Sequence, residues 1–516
     1  MLRTLYRGGR VHTPADPTAT ALLVVGERIV WLGADTDAPA ADAVVELDGA
    51  LVTPAFVDAH VHTTDTGLGL RGLRLAGLRS AAAVLAAVAD HAATLPADAV
   101  VLGHGWDESG WDEQALPTAA QLDRAGGGRA VYLSRACVHS ALVSSALLSG
   151  ATLAADGADA AGWLTRDAHH LARAAAMASI SAGQRREAQR AALGHAATLG
   201  IAAVHECGGP DICGEDDFTG LLALARGGDL PEVYGYWGEL GAAAKAKALG
   251  AVGAGGDLFA DGSLGARTAH LRAPYSSGTG GAGGGVGHGY LDVAGVAAHV
   301  VDCARHGVQA GFHAIGDAAL DTVLAGFDGA EKTLGQDRLR AGRHRLEHAE
   351  LVDKALIAAM VDHGLVASVQ PAFDRLWGGG DGMYAQRLGA GRALAANPFG
   401  SLAGVGVPLA FGSDSPVTDL DPWGTCRAAM THHNPVQRVG LKAAFAAHTR
   451  GGWRAVNRDD EGVLNPHWPA TFVVWDTPGG RTGTLPALVA GPEESCPQVP
   501  VAVRTVLRGR VIHRTG

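Results

Sequence analysis

Short apolar runs alternate with Ala-rich helical stretches through the middle of this chain, and strand-like alternation takes over at both ends. The middle runs are "AFVDAHVH" (55–62), "GIAAVHECGG" (200–209), "LPEVYGYWG" (230–238), "GDLFADG" (256–262), "VQAGFHAIGD" (308–317), "HRLEHAE" (344–350), "GLVASVQPA" (364–372) and "PLAFGSDSP" (408–416). Each breaks into polar residues or glycine and leads into a helical stretch. Eight such units predict an α/β fold, a closed (β/α)8 barrel of the TIM type over 54–458, with its active site at the C-terminal strand ends. Residues 1–53 and 459–516 read as short strands separated by turn glycines, which predicts one small composite β domain built from both termini. The stretch between the first and second runs is far too long for a loop. It predicts a large inserted subdomain at about 64–195, expected over the site. The low-complexity segment 275–289, "YSSGTGGAGGGVGHG", reads as either a lid or a surface linker.

Composition narrows the function classes. The chain has 516 residues, 47% hydrophobic and 18% charged, enough apolar material for a large core. Its net charge of -11 and the lack of any Lys/Arg run argue against a nucleic-acid surface. No apolar run of about 18 residues is present, so no membrane span is expected. The N-terminus "MLRTLYRGGRVHT" lacks the apolar segment of a secretory signal. Six cysteines (137, 207, 213, 303, 426 and 496) are scattered without a C-x-x-C, and read as reduced thiols of a cytoplasmic protein. A small-molecule substrate and a homodimer are the default partners.

The polar residues that end the runs carry the chemistry. The first run ends in His60-Val61-His62, whose imidazoles, two apart on a strand, point the same way. His313, His348 and Asp414 end the fifth, sixth and eighth runs. Each alone has an ordinary reading: a hydrogen-bonded strand-end histidine, or a helix N-cap in "SDSP". Together, four imidazoles and a carboxylate at one barrel mouth suit a divalent metal, zinc first, with manganese or iron as alternatives. Such an ion would make a bound water nucleophilic, with Asp414 shuttling its proton to the leaving nitrogen. His348, with His313, would polarise the carbonyl. In "GDLFADGSLG" (256–265), strand alternation puts Asp257, Phe259 and Asp261 on one face.

With these motifs in order, the chain resembles the amidohydrolase superfamily, and within it the YtcJ-like, N-substituted formamide deformylase-like branch. The stretches carrying the resemblance are "TPAFVDAHVH", "LGHGWDESGW", "FADGSLGARTA", "HAIGDAAL", "RLEHAE", "VQPAF", "GSDSPV" and "HTRGGWRA". The resemblance implies a TIM-type barrel with a composite β-sandwich, a divalent metal centre and hydrolysis of an amide-type C–N bond. It also implies a carboxylated lysine bridging two metals, at the position where this chain has Asp257. An aspartate is several ångströms shorter, so it is not expected to bridge the same pair. Three readings follow: one metal on His60, His62, His313 and Asp414 with His348 orienting the water; a bridge from another carboxylate, Glu206 in "VHECGG"; or a degenerate site. Asp257 would then pair with an interior arginine or orient His60 or His62.

The resemblance further implicates Trp106, Trp111 and His139 of the insertion in substrate binding, against a plain core role for the tryptophans. Ser263 and Arg267 in "DGSLGAR" would hold a polar substrate group or satisfy loop carbonyls. Two rivals to the amidohydrolase stand. One is a one-metal deaminase, which Asp317, four residues after His313, leaves open. The other is a non-catalytic metal- or ligand-binding relative.

Overall fold

Eight parallel strands form the central sheet: β1 (Phe56–Val61), β2 (Ile201–Gly208), β3 (Glu232–Trp237), β4 (Gly253–Ala254), β5 (Gln309–Ala314), β6 (Arg345–His348), β7 (Val366–Val369) and β8 (Leu409–Phe411). They neighbour one another in sequence order from β1 to β8. The ring closes at its C-terminal end, where Val61 and Ser415 form a parallel bridge. Asp414 N donates to His60 O at 2.8 Å, and His62 N donates to Ser415 O at 2.9 Å. The buried Asp58 carboxylate ties the same seam, accepting from Ser413 N at 2.9 Å. The computed structural model describes residues 2–108, 111, 115–135, 140–276, 285–477, 485–489 and 498–515. His139, Cys137, Cys496 and the stretch 277–284 lie outside the described residues.

The fourth strand differs from expectation. Its regular pairing covers only Gly253–Ala254, ahead of the expected run 256–262, which keeps a single parallel bridge from Phe259 to His313. Gly255 (φ 155°) and Gly256 (φ 76°) then turn the chain through backbone that side chains disfavour. At Gly255 a Cβ would meet Gly311 N at 2.3 Å, so only glycine lets the two backbones approach. Beyond this turn the chain follows β5, with His313 N donating to Leu258 O at 3.0 Å and Ala260 N to His313 O at 2.9 Å, while Tyr290 N donates to Ala260 O at 2.9 Å from the other side.

Two further sheets come from the chain ends. One has the order Arg28–Gly33, Ala21–Val25, Arg3–Arg7, Ala43–Glu46; the other Arg10–Val11, Leu51–Pro54, Phe472–Asp476, Val501–Leu507, Arg510–Arg514. Leu22, Ile29 and Val52 share a buried cluster with Phe472 and Val506, and Tyr6 meets Phe472 edge to face at 5.0 Å. Residues 64–192 form a separate unit with its own five-stranded sheet. Trp106 and Trp111 belong to that unit's core, beside Val101 and Leu133, and Trp106 Nε1 donates to Leu133 O at 2.8 Å. Among the described residues no helix is long and apolar enough to cross a membrane. Cys207, Cys213, Cys303 and Cys426 form no disulfide.

Candidate metal centre

Six buried side chains from five strand ends meet at the barrel mouth: His60, His62, Asp257, His313, His348 and Asp414. His60 Nε2 lies 3.5 Å from both Asp257 Oδ1 and Asp414 Oδ1. His62 Nε2 is 3.1 Å from Asp414 Oδ1 and 3.3 Å from Asp257 Oδ2. Asp257 Oδ1 also faces His313 Nδ1 at 3.5 Å and His348 Nε2 at 3.7 Å. His348 (φ 69°) and Asp414 (φ 56°) both adopt left-handed backbone. That conformation costs energy in a non-glycine residue, and here it aims both side chains into the cluster.

The imidazoles are oriented from behind. His60 Nδ1 is 3.0 Å from Glu347 Oε2, His348 Nδ1 is 2.9 Å from Gln370 Oε1, and His313 Nε2 is 3.1 Å from Gly262 O. Each of these acceptors takes the N–H of one ring nitrogen and leaves the other nitrogen's lone pair facing Asp257. Glu347 is itself fixed by Arg345, whose Nε and Nη2 donate to its two oxygens at 2.5 and 2.9 Å. Arg345 is fully buried, contacts His205 Nδ1 at 3.0 Å, and stacks over Tyr236 at 4.3 Å. Burial opposes the charge on Glu347, but the guanidinium overrides it and holds the carboxyl well below the usual range.

The donor set fits a divalent cation. His60 Nε2, Asp257 Oδ1 and His313 Nδ1 are buried and complete no hydrogen bond among the described residues. Ligands about 2.0–2.1 Å from a tetrahedral zinc sit about 3.3–3.4 Å apart. The contacts of His60 and His62 with Asp257 and Asp414, at 3.1–3.5 Å, have that spacing. Burial works against an imidazolium at His62, yet Asp257 and Asp414 outweigh it and raise its pKa well above the ordinary value. Burial likewise opposes ionised Asp257, but the facing imidazoles of His60, His313 and His348 outweigh it and hold its pKa well below the ordinary carboxylate value. Two buried carboxylates thus demand positive charge in their midst, from protons or from a metal ion.

Asp257 belongs to two of the four overlapping candidate ligand groups among the described residues, His60–His62–Asp257 and Asp257–His313–His348. The Gly255–Gly256 turn delivers its short side chain there. Asp261, on the same stretch, serves the backbone instead, accepting from Ile315 N, Gly316 N and His270 N at 2.8–3.0 Å.

Glu206 joins no ligand group among the described residues. On β2 the side chains of His205 and Cys207 face Arg345 and His60, so alternation turns Glu206 the other way. It accepts from Thr63 N at 2.8 Å, and burial pushes its pKa up to about 7. Asp317 accepts from Arg272 N at 2.8 Å and is not among the residues lining the site cavity. Arg267 donates to Ser276 O at 3.0 Å, a loop carbonyl. Ser263 does line the site cavity, with its Oγ accepting from Ala266 N at 3.3 Å.

That cavity measures about 410 Å³. His62, Asp257, His313, His348 and Asp414 lie on one side, and Phe259, Ile315, Phe373, Trp377, Met383 and Val417 supply apolar walls. Glu350 and Tyr384 also line it. Burial pushes the Glu350 carboxyl up to about 7. Glu347, Gln370, Glu350 and Tyr384 were not singled out by sequence reasoning. The first and third stand in the quoted "RLEHAE", and strand alternation from Arg345 would have flagged Glu347 as inward-facing.

A barrel with such a ligand set defines a metal-dependent hydrolase. The chain belongs to the amidohydrolase family, whose family model matches residues 43–513. It is similar to the protein LONG AFTER FAR-RED 3 of Arabidopsis thaliana, 28% identical over 482 residues covering 84% of this chain and 79% of that one. It is also similar to the putative amidohydrolase YtcJ of Bacillus subtilis (strain 168), 28% identical over 417 residues covering 73% of each. Among solved structures, an uncharacterized metal-dependent hydrolase from Pyrococcus furiosus shares the fold with a TM-score of 0.76 at 24% identity, over 92% of this chain and 98% of that one.

Proposed function

We propose that this chain hydrolyses an amide-type C–N bond of a small, largely apolar molecule, with zinc held by His60, His62, Asp257, His313, His348 and Asp414. The observation that carries the reading is the convergence of His60, His62, Asp257, His313, His348 and Asp414 in overlapping candidate ligand groups, all but His60 lining one cavity. Asp257 would hold a divalent ion together with His60 and His62, and would also reach one held by His313 and His348. A divalent ion bound there supplies an acidified water and withdraws electrons from the scissile carbonyl.

The chain's own residues do the rest. Glu347, Gln370 and the Gly262 carbonyl hold three imidazoles with one lone pair turned inward. That arrangement suits His348 to ligation through Nε2. Asp414 lines the cavity and faces His60 and His62. Its carboxylate is the base placed to take a proton from the attacking water and return it to the departing nitrogen. The apolar walls exclude bulk water from the acyl group. Among the described residues Cys207, Cys303 and Cys426 form no disulfide, which suits a cytoplasmic setting.

The test is a panel of amides, formamides and cyclic ureas offered to the purified protein before and after chelation. Turnover that chelation abolishes and zinc restores supports the reading. Metal binding without turnover on any panel member contradicts it.

A further inference from the structure

We propose that Glu350 and Tyr384 form a polar subsite for a second, uncharged amide-type group of the substrate, so that the cavity prefers a neutral bifunctional amide and rejects one carrying a carboxylate. This rests on the hydrolase reading above and goes beyond it by naming the substrate's other end.

Glu350 is 3% exposed and Tyr384 1% exposed, and both line the cavity that holds the metal ligands. Glu350 Oε2 and the Tyr384 hydroxyl complete no hydrogen bond among the described residues, although the two groups are neighbours. Asn397 backs them: its N–H donates to Glu350 O at 2.7 Å, and its Nδ2 likewise completes no hydrogen bond. Buried polar atoms are nearly always partnered, so adjacent unpartnered ones on a cavity wall point to a ligand that supplies the missing bonds. The pair offers an acceptor, the carboxyl oxygen, beside a hydroxyl that donates. An amide presents the complement, an N–H next to a C=O. Of the flanking Phe373, Trp377 and Met383, only the Trp377 indole N–H is a hydrogen-bond donor.

Charge sets the exclusion. Asp257, Asp414 and Glu350 put three carboxyl groups on the cavity, and no lysine or arginine is among the described residues lining it. A carboxylate at the far end of a substrate would meet the Glu350 carboxyl with no lysine or arginine among the described lining residues to pair with it.

The probes are three acetamides that differ at one point: 4-(acetamidomethyl)benzamide, its 4-methyl analogue and its 4-carboxylate analogue. Binding to the zinc-loaded protein is measured by calorimetry, and hydrolysis is followed in parallel. The carboxamide is expected to bind at least about 10-fold tighter than the methyl analogue and about 100-fold tighter than the carboxylate. Tyr384→Phe and Glu350→Gln should each shrink the carboxamide-to-methyl ratio toward one, with folding checked by circular dichroism. Equal affinity for the three probes, tightest binding of the carboxylate, or no detectable binding of the carboxamide overturns the subsite. The carboxamide preference without hydrolysis of any probe sinks the hydrolase reading alone; hydrolysis without preference sinks the subsite alone.

Discussion

His60 Nδ1 and Glu347 Oε2 lie 3.0 Å apart, both fully buried, and this contact ties the metal centre to the charged interior of the barrel. Behind it, Arg345 grips Glu347 and also reaches Ala59 O and Ser368 Oγ at 2.6 and 2.9 Å. The barrel core is therefore ionic where the centre needs support.

Glu347→Gln keeps the size of the side chain but leaves Arg345 a buried, unpaired charge. Metal affinity should fall by roughly 10- to 100-fold, since His60 loses the partner that fixes its tautomer. Stability should fall by about 3–5 kcal/mol, the usual penalty for stripping one partner from a buried pair. Metal titration and urea unfolding measure the two effects separately.

Asp257→Ala removes the residue common to both ligand groups. Zinc content should drop from two ions per chain to one or fewer, and turnover should fall by more than about 100-fold. Elemental analysis of the purified variant beside the wild type checks the first number. Glu206→Gln, outside both groups, should keep the wild-type zinc content.

Asp414→Asn retains an oxygen but not the basicity. Turnover should fall by about 100- to 10,000-fold, the range for losing a positioned general base. The kinetic comparison is made at saturating zinc, so that weakened binding is not mistaken for lost proton transfer.

Acid stability should report two buried histidines outside the centre. Burial lowers His344 and His448 to about 4, against an ordinary 6.5. Below pH 6.5 the unfolded chain takes up protons that the folded protein refuses. Each histidine therefore contributes stability that is present above pH 6.5 and lost as pH falls toward 4, roughly 3 kcal/mol in all per residue. His344 Nδ1 accepts from Ala310 N at 2.8 Å, and His344→Asn keeps an acceptor there. The stability gap between wild type and this variant should narrow from pH 7 to pH 4 in urea titrations.

Much of this architecture was legible in the chain because strand ends are marked by polar residues after apolar runs. His60, His62, His313, His348 and Asp414 stood out in this way, and the tryptophans of the insertion read equally well as core. Three places were not legible. Asp257 gains its reach from the Gly255–Gly256 turn, which is set by backbone packing against Gly311 and not by any local motif. Glu206 looked suitable because strand ends blur parity; one residue decides whether a side chain faces the barrel axis, and Cys207 takes that place. Glu347 was hidden by the reverse effect, since the left-handed backbone at His348 brings two consecutive residues of β6 to the same centre.

The most direct measurement is anomalous diffraction at the zinc edge from crystals of the zinc-loaded protein. The account predicts strong peaks among His60, His62, Asp257, His313, His348 and Asp414, with Asp257 touching both. Zinc bound elsewhere, or no peak within coordinating distance of these six residues, would contradict it.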